Sequence, residues 1–270
     1  MNAYKLLYPL LSVPMALLSA CAYNEDYATA DITTDVIEIS DRYYYRCDSL
    51  TVVDLPQGVR SIGDQAFFGS SITSLGIPSQ VTYIGDNAFN FCARLTTIRI
   101  DERNPVFDSR NNCNAIIRTA NDELLYGCSA TVIPESVRRI DDYAFCGCEG
   151  LTDLVLPDHI DAVGDGAFSE CSDLTSVTLG RGLSHVSTLA FADCPKLTMV
   201  TIPESVSSIG DAAFLHCPEL VSVRVESAVP PRCGYIAFFG THATLHVPLG
   251  SREAYASASG WRVFPMIIEF

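Results

Sequence analysis

Eleven cysteines in 270 residues are the first candidates for chemistry, and their spacing argues against most of it. Cys148, Cys171, Cys194 and Cys217 recur at every twenty-third position. A thiol that recurs once per unit of a periodic chain occupies a packing position. Stacked extended units lie about 4.8 Å apart with equivalent Cβ vectors parallel, whereas a disulfide needs Cβ atoms about 3.8 Å apart and turned toward each other. Cys92 joins this set, and the five are expected to be buried free thiols acting as small apolar side chains. Cys113 and Cys128 flank a predicted hairpin and are expected either to pair or to be buried and free. Cys146-Gly147-Cys148 is too tight for an easy bridge, and Cys47 and Cys233 are left open.

Metal and catalytic chemistry find little support. His242 and His246, with Cys233 nearby, have the donor types of a zinc site. Their spacing matches no finger or protease signature, and His246 alternates with Leu245 and Val247 as a strand residue would. His159, His185 and His216 fall at three different positions of the unit and form no site. Gly-x-Ser-x-Gly, His-Glu-x-x-His and phosphate-loop patterns are missing from the sequence. Nothing places two carboxylates together as a glycosidase pair. Gly63-Asp64, Gly85-Asp86, Gly164-Asp165 and Gly210-Asp211 recur once per unit, which reads as turns rather than calcium ligands. The expectation is therefore no enzyme, no metal and no cofactor.

The elements that position these residues follow from the same beat. Phe145, Phe168, Phe191 and Phe214 keep the interval of the cysteines, each preceded by alanine. Such a period marks stacked coils, each unable to bury its apolar face alone. The unit from Pro195 to Cys217 shows the pattern. Leu197 to Ile202 is a partly β-branched run, read as a strand. Pro203 cannot donate to a ladder and ends it. Val206 to Ile209 is a second extended side, Gly210-Asp211 a turn, and Ala213-Phe214 a short helical or 3₁₀ piece. Two earlier units match, with Phe67 and Phe89 at the same place in the unit. The apolar ladder therefore comprises Phe67, Phe89, Phe145, Phe168, Phe191 and Phe214 beside the five thiols.

One stretch departs. The interval from Phe89 to Phe145 holds one regular period and an excess longer than a second. Ala115 to Arg118 and Glu123 to Tyr126 read as two strands around Asn121-Asp122. This predicts one enlarged coil with a hairpin. At the other end, Glu253 to Ala258 is predicted as a short helix, Trp261 as a plug for the open end of the stack, and Phe264 to Phe270 as a final edge strand.

The run Ile202-Pro203-Glu204-Ser205-Val206, through Ile209-Gly210-Asp211 and Ala213-Phe214 to Cys217, with its cognates, resembles the BspA-like leucine-rich repeat family. Asn104-Pro105-Val106-Phe107-Asp108 to Asn114 is similar to an enlarged coil of bacterial members. Val247-Pro248 to Tyr255 and Gly260-Trp261 is similar to the family's cap. The resemblance covers roughly residues 45 to 270 and implies a β-rich leucine-rich-repeat solenoid, a right-handed α/β coil stack of short strands and 3₁₀ or helical turns. It also implies bacterial surface adhesins and host-protein binders. The repeat consensus is structural, so no binding residue is carried over.

The N-terminus reads as a secretion signal: Lys5, then an apolar core from Leu6 to Leu18 that is too short to span a bilayer. Leu18-Ser19-Ala20-Cys21 resembles a bacterial lipobox, which implies acylation of Cys21 and a membrane anchor. Expected divisions are 1–20 signal peptide, 21–44 acidic tether, 45–240 solenoid with its enlarged coil at about 101–132, and 241–270 C-terminal cap. The formal charge of −15 argues against nucleic acid and anionic membrane surfaces as partners.

What remains is surface. Outward positions of the first strand are Ser74, Thr97, Arg99, Asp153, Val155, Ser176, Thr178, Met199, Thr201, Ser222 and Arg224. They form a face of mostly small polar side chains, the kind on which solenoids bind extended partners. The expected function is a monomeric outer-membrane lipoprotein of the bacterial cell surface that binds a host or neighbouring-cell protein. The alternative is a glycan-binding lipoprotein for nutrient capture.

Overall fold

In the computed structural model of the chain, residues 36–270 are described. Cys21, the signal and most of the tether lie outside them. The chain folds as a β-solenoid of about ten turns with almost no helix. Its first half contains β1 (Glu38–Ile39), β2 (Val52–Asp54), β3 (Ser61–Ile62), β4 (Ser74–Ile77), β5 (Tyr83–Ile84), β6 (Thr97–Ile100), β7 (Phe107–Asp108), β8 (Ile116–Arg118) and β9 (Glu123–Tyr126). There follow β10 (Arg139–Ile140), β11 (Asp153–Val155), β12 (Ala162–Val163), β13 (Ser176–Thr178), β14 (His185–Val186), β15 (Met199–Ile202), β16 (Ser208–Ile209), β17 (Ser222–Val225), β18 (Arg232–Cys233) and β19 (Thr244–Val247). A helix, α1 (Arg252–Ser257), and β20 (Met266–Glu269) close the chain.

Each regular coil contributes one strand to each of two sides. On the first side β2, β4 and β6 make one parallel sheet and β11, β13, β15, β17, β19 and β20 another. On the second side lie β1-β3-β5, the sheet containing β9, β10 and β12, and β14-β16-β18. The register follows the repeat: Val177 pairs with Val200 and Val200 with Val223. The inward residue of each coil thus sits on its equivalent in the next.

The third side differs from expectation. The Ala-Phe segment is a chain of turns, neither α-helical nor 3₁₀. Alternate N–H groups reach the next coil, as Phe168 to the carbonyl of Ala190 at 2.9 Å and Glu170 to that of Ala192 at 2.8 Å. The N–H groups between them close local turns, as Ser169 to the carbonyl of Gly166 at 3.0 Å. Gln65, Tyr143, Leu189 and Ala212 hold positive φ between 54° and 59°, which interrupts any helix.

Inside, the ladder predicted from the beat is present. Phe145, Phe168, Phe191, Phe214 and Phe238 stack in series with centroids 4.9–5.5 Å apart. Trp261 is fully buried against Phe238, and its indole N–H donates to the carbonyl of Pro231 at 2.8 Å. Tyr255 on α1 packs edge-on to Trp261 and donates its hydroxyl to the carbonyl of Ser227. Both aromatic heads find a partner, as buried Tyr and Trp require.

The enlarged coil carries the predicted hairpin, with β8 and β9 antiparallel, and β7 adds a third antiparallel strand. Arg110 binds Asp108 and Asp122 and so pins the hairpin tip to its base. Tyr126 supplies the missing rung of the Phe ladder. Its ring stands edge-on to Phe89 at 5.4 Å, and its hydroxyl accepts from the Ala88 N–H and donates to the carbonyl of Gly85. Gly127 leaves room on the other side, where a Cβ would lie 2.1 Å from the Phe145 ring.

Candidate functional site: the outward face of the first-side sheets

Strand alternation turns every second residue of the first side outward, and the parallel register aligns those residues into rows. One row runs Asp153, Ser176, Met199, Ser222, Thr244 and Met266, and its neighbour Val155, Thr178, Thr201, Arg224, His246 and Ile268. Eight of the residues expected on the face, from Asp153 to Arg224, therefore sit on a single six-stranded sheet. Ser74, Thr97 and Arg99 occupy the smaller sheet with β2, β4 and β6. The enlarged coil separates the two, so the face is not the single regular surface expected. Across the gap, the Asn114 side chain takes the place of a strand rung: it accepts from the Ile98 N–H and donates to the carbonyl of Ala130.

The six-stranded face mixes apolar and polar groups. Val155 is 69% exposed, Met199 53% and Met266 55%. Between them Asp153 accepts from the Ser176 hydroxyl at 2.6 Å, and this hydrogen bond holds its carboxyl below the ordinary carboxylate range. Along the rim of the face, threonine hydroxyls climb from coil to coil, Thr175 donating to the carbonyl of Thr152 and Thr198 to that of Thr175. The Phe270 ring folds back so that the Arg224 guanidinium lies 3.4 Å from its centroid. Thr244, His246, Met266, Ile268 and Phe270 extend the face beyond the residues read from the sequence. The alternation in Thr244-Leu245-His246-Val247 was the available signal.

The other candidate groups have structural partners. The thiols of Cys171, Cys194 and Cys217 each donate to the carbonyl of the phenylalanine one coil back (Phe145, Phe168, Phe191) at 3.3 Å. Cys92 does the same to Phe67 at 3.1 Å. These cysteines are therefore donors as well as apolar fillers. Burial pushes the thiols of Cys92, Cys148 and Cys217 up to about 12 and those of Cys171 and Cys194 well above the ordinary value. Thiols held neutral in this way are poor nucleophiles and poor metal ligands. Of the alternatives for Cys113 and Cys128, the structure has both buried and free. Each is engaged elsewhere, Cys113 with the Ser109 hydroxyl and Cys128 with the carbonyl of Asn114. Every cysteine from Cys92 to Cys233 is unbridged.

The turn aspartates act between coils. Asp64 accepts from the Asp86 N–H, Asp142 from Asp165, Asp165 from Thr188 and Asp211 from Tyr235, at 2.7–3.0 Å. His246 lies outward on β19, whereas Cys233 belongs to β18 on the other side of the coil, so the two do not meet. Among the described residues, no three His, Cys, Asp or Glu side chains are grouped to hold a metal ion.

Residues 18–121 and 118–242 match the family described as BspA type leucine rich repeat region, in six copies. Among solved structures, a leucine rich cell surface protein from Faecalibacterium prausnitzii is 28% identical, with 84% of this chain and 61% of that one covered and a TM-score of 0.65. A leucine-rich repeat protein from Eubacterium ventriosum is 21% identical over 68% of this chain and 56% of its own, with a TM-score of 0.54. The pneumococcal vaccine antigen PcpA is 16% identical over 88% and 78%, with a TM-score of 0.52. These last two share the fold alone. The chain spans less than two thirds of the first two structures. No curated protein matches it. With repeat matches over most of its length and the stacked coils to go with them, the chain belongs to the BspA-type leucine-rich repeat family.

Proposed function

We propose that the chain is a surface-exposed, non-enzymatic interaction module, anchored to the outer membrane through a lipid on Cys21, that binds a host or neighbouring-cell protein across the six-stranded face. The observation that carries this reading is the composition of that face. Val155, Met199 and Met266 stand well exposed on a sheet whose backbone is already paired, among short Ser and Thr side chains that lose little freedom on contact. Such a rigid, mixed surface suits a protein partner. The description of the F. prausnitzii relative as a cell surface protein supports the location.

The test is a binding screen of the full chain against host matrix proteins, followed by Thr178→Arg. Thr178 is exposed at the middle of the face, so arginine there reaches water and shifts stability by less than about 0.5 kcal/mol. Loss of binding with an unchanged unfolding midpoint supports the reading. Full binding by Thr178→Arg and by Ser176→Arg removes this face from consideration.

A further inference from the structure

We propose that a second site, for a neutral sugar, lies in a cleft of about 380 Å³ at the corner between the turn side and the first sheet. Its origin is a missing residue. From the Cys47 position to the following core leucine, the coils carry two linking residues: Asp48-Ser49, Ala93-Arg94 and Glu149-Gly150. The coil between Ser70 and Ile72 carries only Ser71. Neighbouring coils stay in register around the short link, as the Ser71 N–H donates to the carbonyl of Cys47 and the Glu149 N–H to that of Ala93, both at 3.1 Å. The shortened link therefore leaves a notch between fuller turns.

The groups around the notch are not spent on one another. Asp48, Arg94 and Glu149 line it and are exposed, and among the described residues none of the three forms an ion pair. Arg46 and Gly69 differ from them in serving the stack: a Cβ on Gly69, at φ 68°, would press on the Arg46 side chain. Two carboxylates disfavour an anion in the notch, and the guanidinium disfavours a compact cation. A neutral polyhydroxylated ligand satisfies both signs, its hydroxyls donating to Asp48 and Glu149 and accepting from Arg94. Ser71 adds a hydroxyl, and the partly buried Phe91 ring, packed on Phe68, offers an apolar edge to sugar C–H groups. The volume falls within the range of small-ligand clefts, roughly 300–1,000 Å³.

This site is separate from the sheet face, and each can fail without the other. Saturation-transfer NMR on the full chain would be run with glucose, galactose and N-acetylglucosamine, and with glucosamine and N-acetylneuraminic acid as charged comparisons. At least one neutral sugar should bind at millimolar concentration and more tightly than either charged one. Arg94→Ala should weaken it about tenfold, the size of one charge-assisted hydrogen bond. Inserting glycine after Ser71 restores the two-residue link and should abolish binding, while Thr178→Arg should leave it unchanged. No transfer from any neutral sugar, or transfer that persists in both Arg94→Ala and the insertion variant, overturns the proposal. If the insertion variant does not fold, Arg94→Ala alone decides.

Discussion

Truncating Phe191 to alanine removes a ring from the middle of the aromatic ladder, where it is 1% exposed. Phe168 lies 5.5 Å from it on one face and Phe214 5.4 Å on the other, both nearly parallel to it. Phe→Ala in a well-packed core costs about 3–5 kcal/mol, from lost transfer energy and the cavity left behind. The upper part of that range applies here. Two stacked contacts vanish together, and interstrand hydrogen bonds hold the flanking coils at fixed spacing, so they cannot close the gap. In a nearest-neighbour stack the loss reaches both adjacent interfaces. Urea unfolding followed by circular dichroism should show a lower midpoint with the slope retained. A loss below about 1 kcal/mol for Phe191→Ala would mean that the ladder is not a cooperative unit.

The eight buried cysteines from Cys92 to Cys217 should resist alkylation in the native protein and all react after denaturation without reductant; any that stay blocked are bridged. The same thiols predict a pH dependence. Folding raises Cys92, Cys148 and Cys217 from 9.0 to about 12, so above pH 9 the unfolded chain gives up protons that the folded chain keeps. Stability is then fully present below pH 9 and falls as pH rises toward 12, by about 1.4 kcal/mol per unit for each group; a melting temperature that holds steady from pH 8 to 10.5 contradicts this. Gly127→Ala places a methyl against the Phe145 ring and should destabilise by about 1–3 kcal/mol, with a fall of several degrees in melting temperature; an unchanged melting temperature would show that the seam is loosely packed. Cys21→Ser should abolish labelling by a fatty-acid analogue, and undiminished labelling would sink the proposed anchor.

Whatever depends on one coil repeating another was legible in the amino-acid order. The regular beat placed Phe145, Phe168, Phe191 and Phe214 on one line because equivalent positions of stacked coils must meet, and Trp261 was readable as the plug because an open stack end leaves such a ring uncovered. The enlarged coil was readable only as an interruption with a hairpin. That Tyr126 packs edge-on to Phe89, and that Asn114 ties β6 to the Ala130 turn, depends on a register with no repeat to announce it. The division of the expected face follows from the same interruption.

The turn side shows the limit most clearly. Ala-Phe with Leu189 or Ala212 just before it has the composition of a short helix, and the sequence reading is a short helical or 3₁₀ piece. In the fold these residues hold positive φ instead, near 59° and 54°. Their N–H groups, at Leu189 and Ala212, donate to the carbonyls of Asp211 and Tyr235, each one coil further along the chain. Local preference is worth a fraction of a kcal/mol per residue. A buried amide left without its partner in the next coil costs more, about 1–3 kcal/mol. The sequence by itself therefore determined which residues stack and face inward, whereas the backbone path between them was decided only by bonds to a coil that local order cannot see.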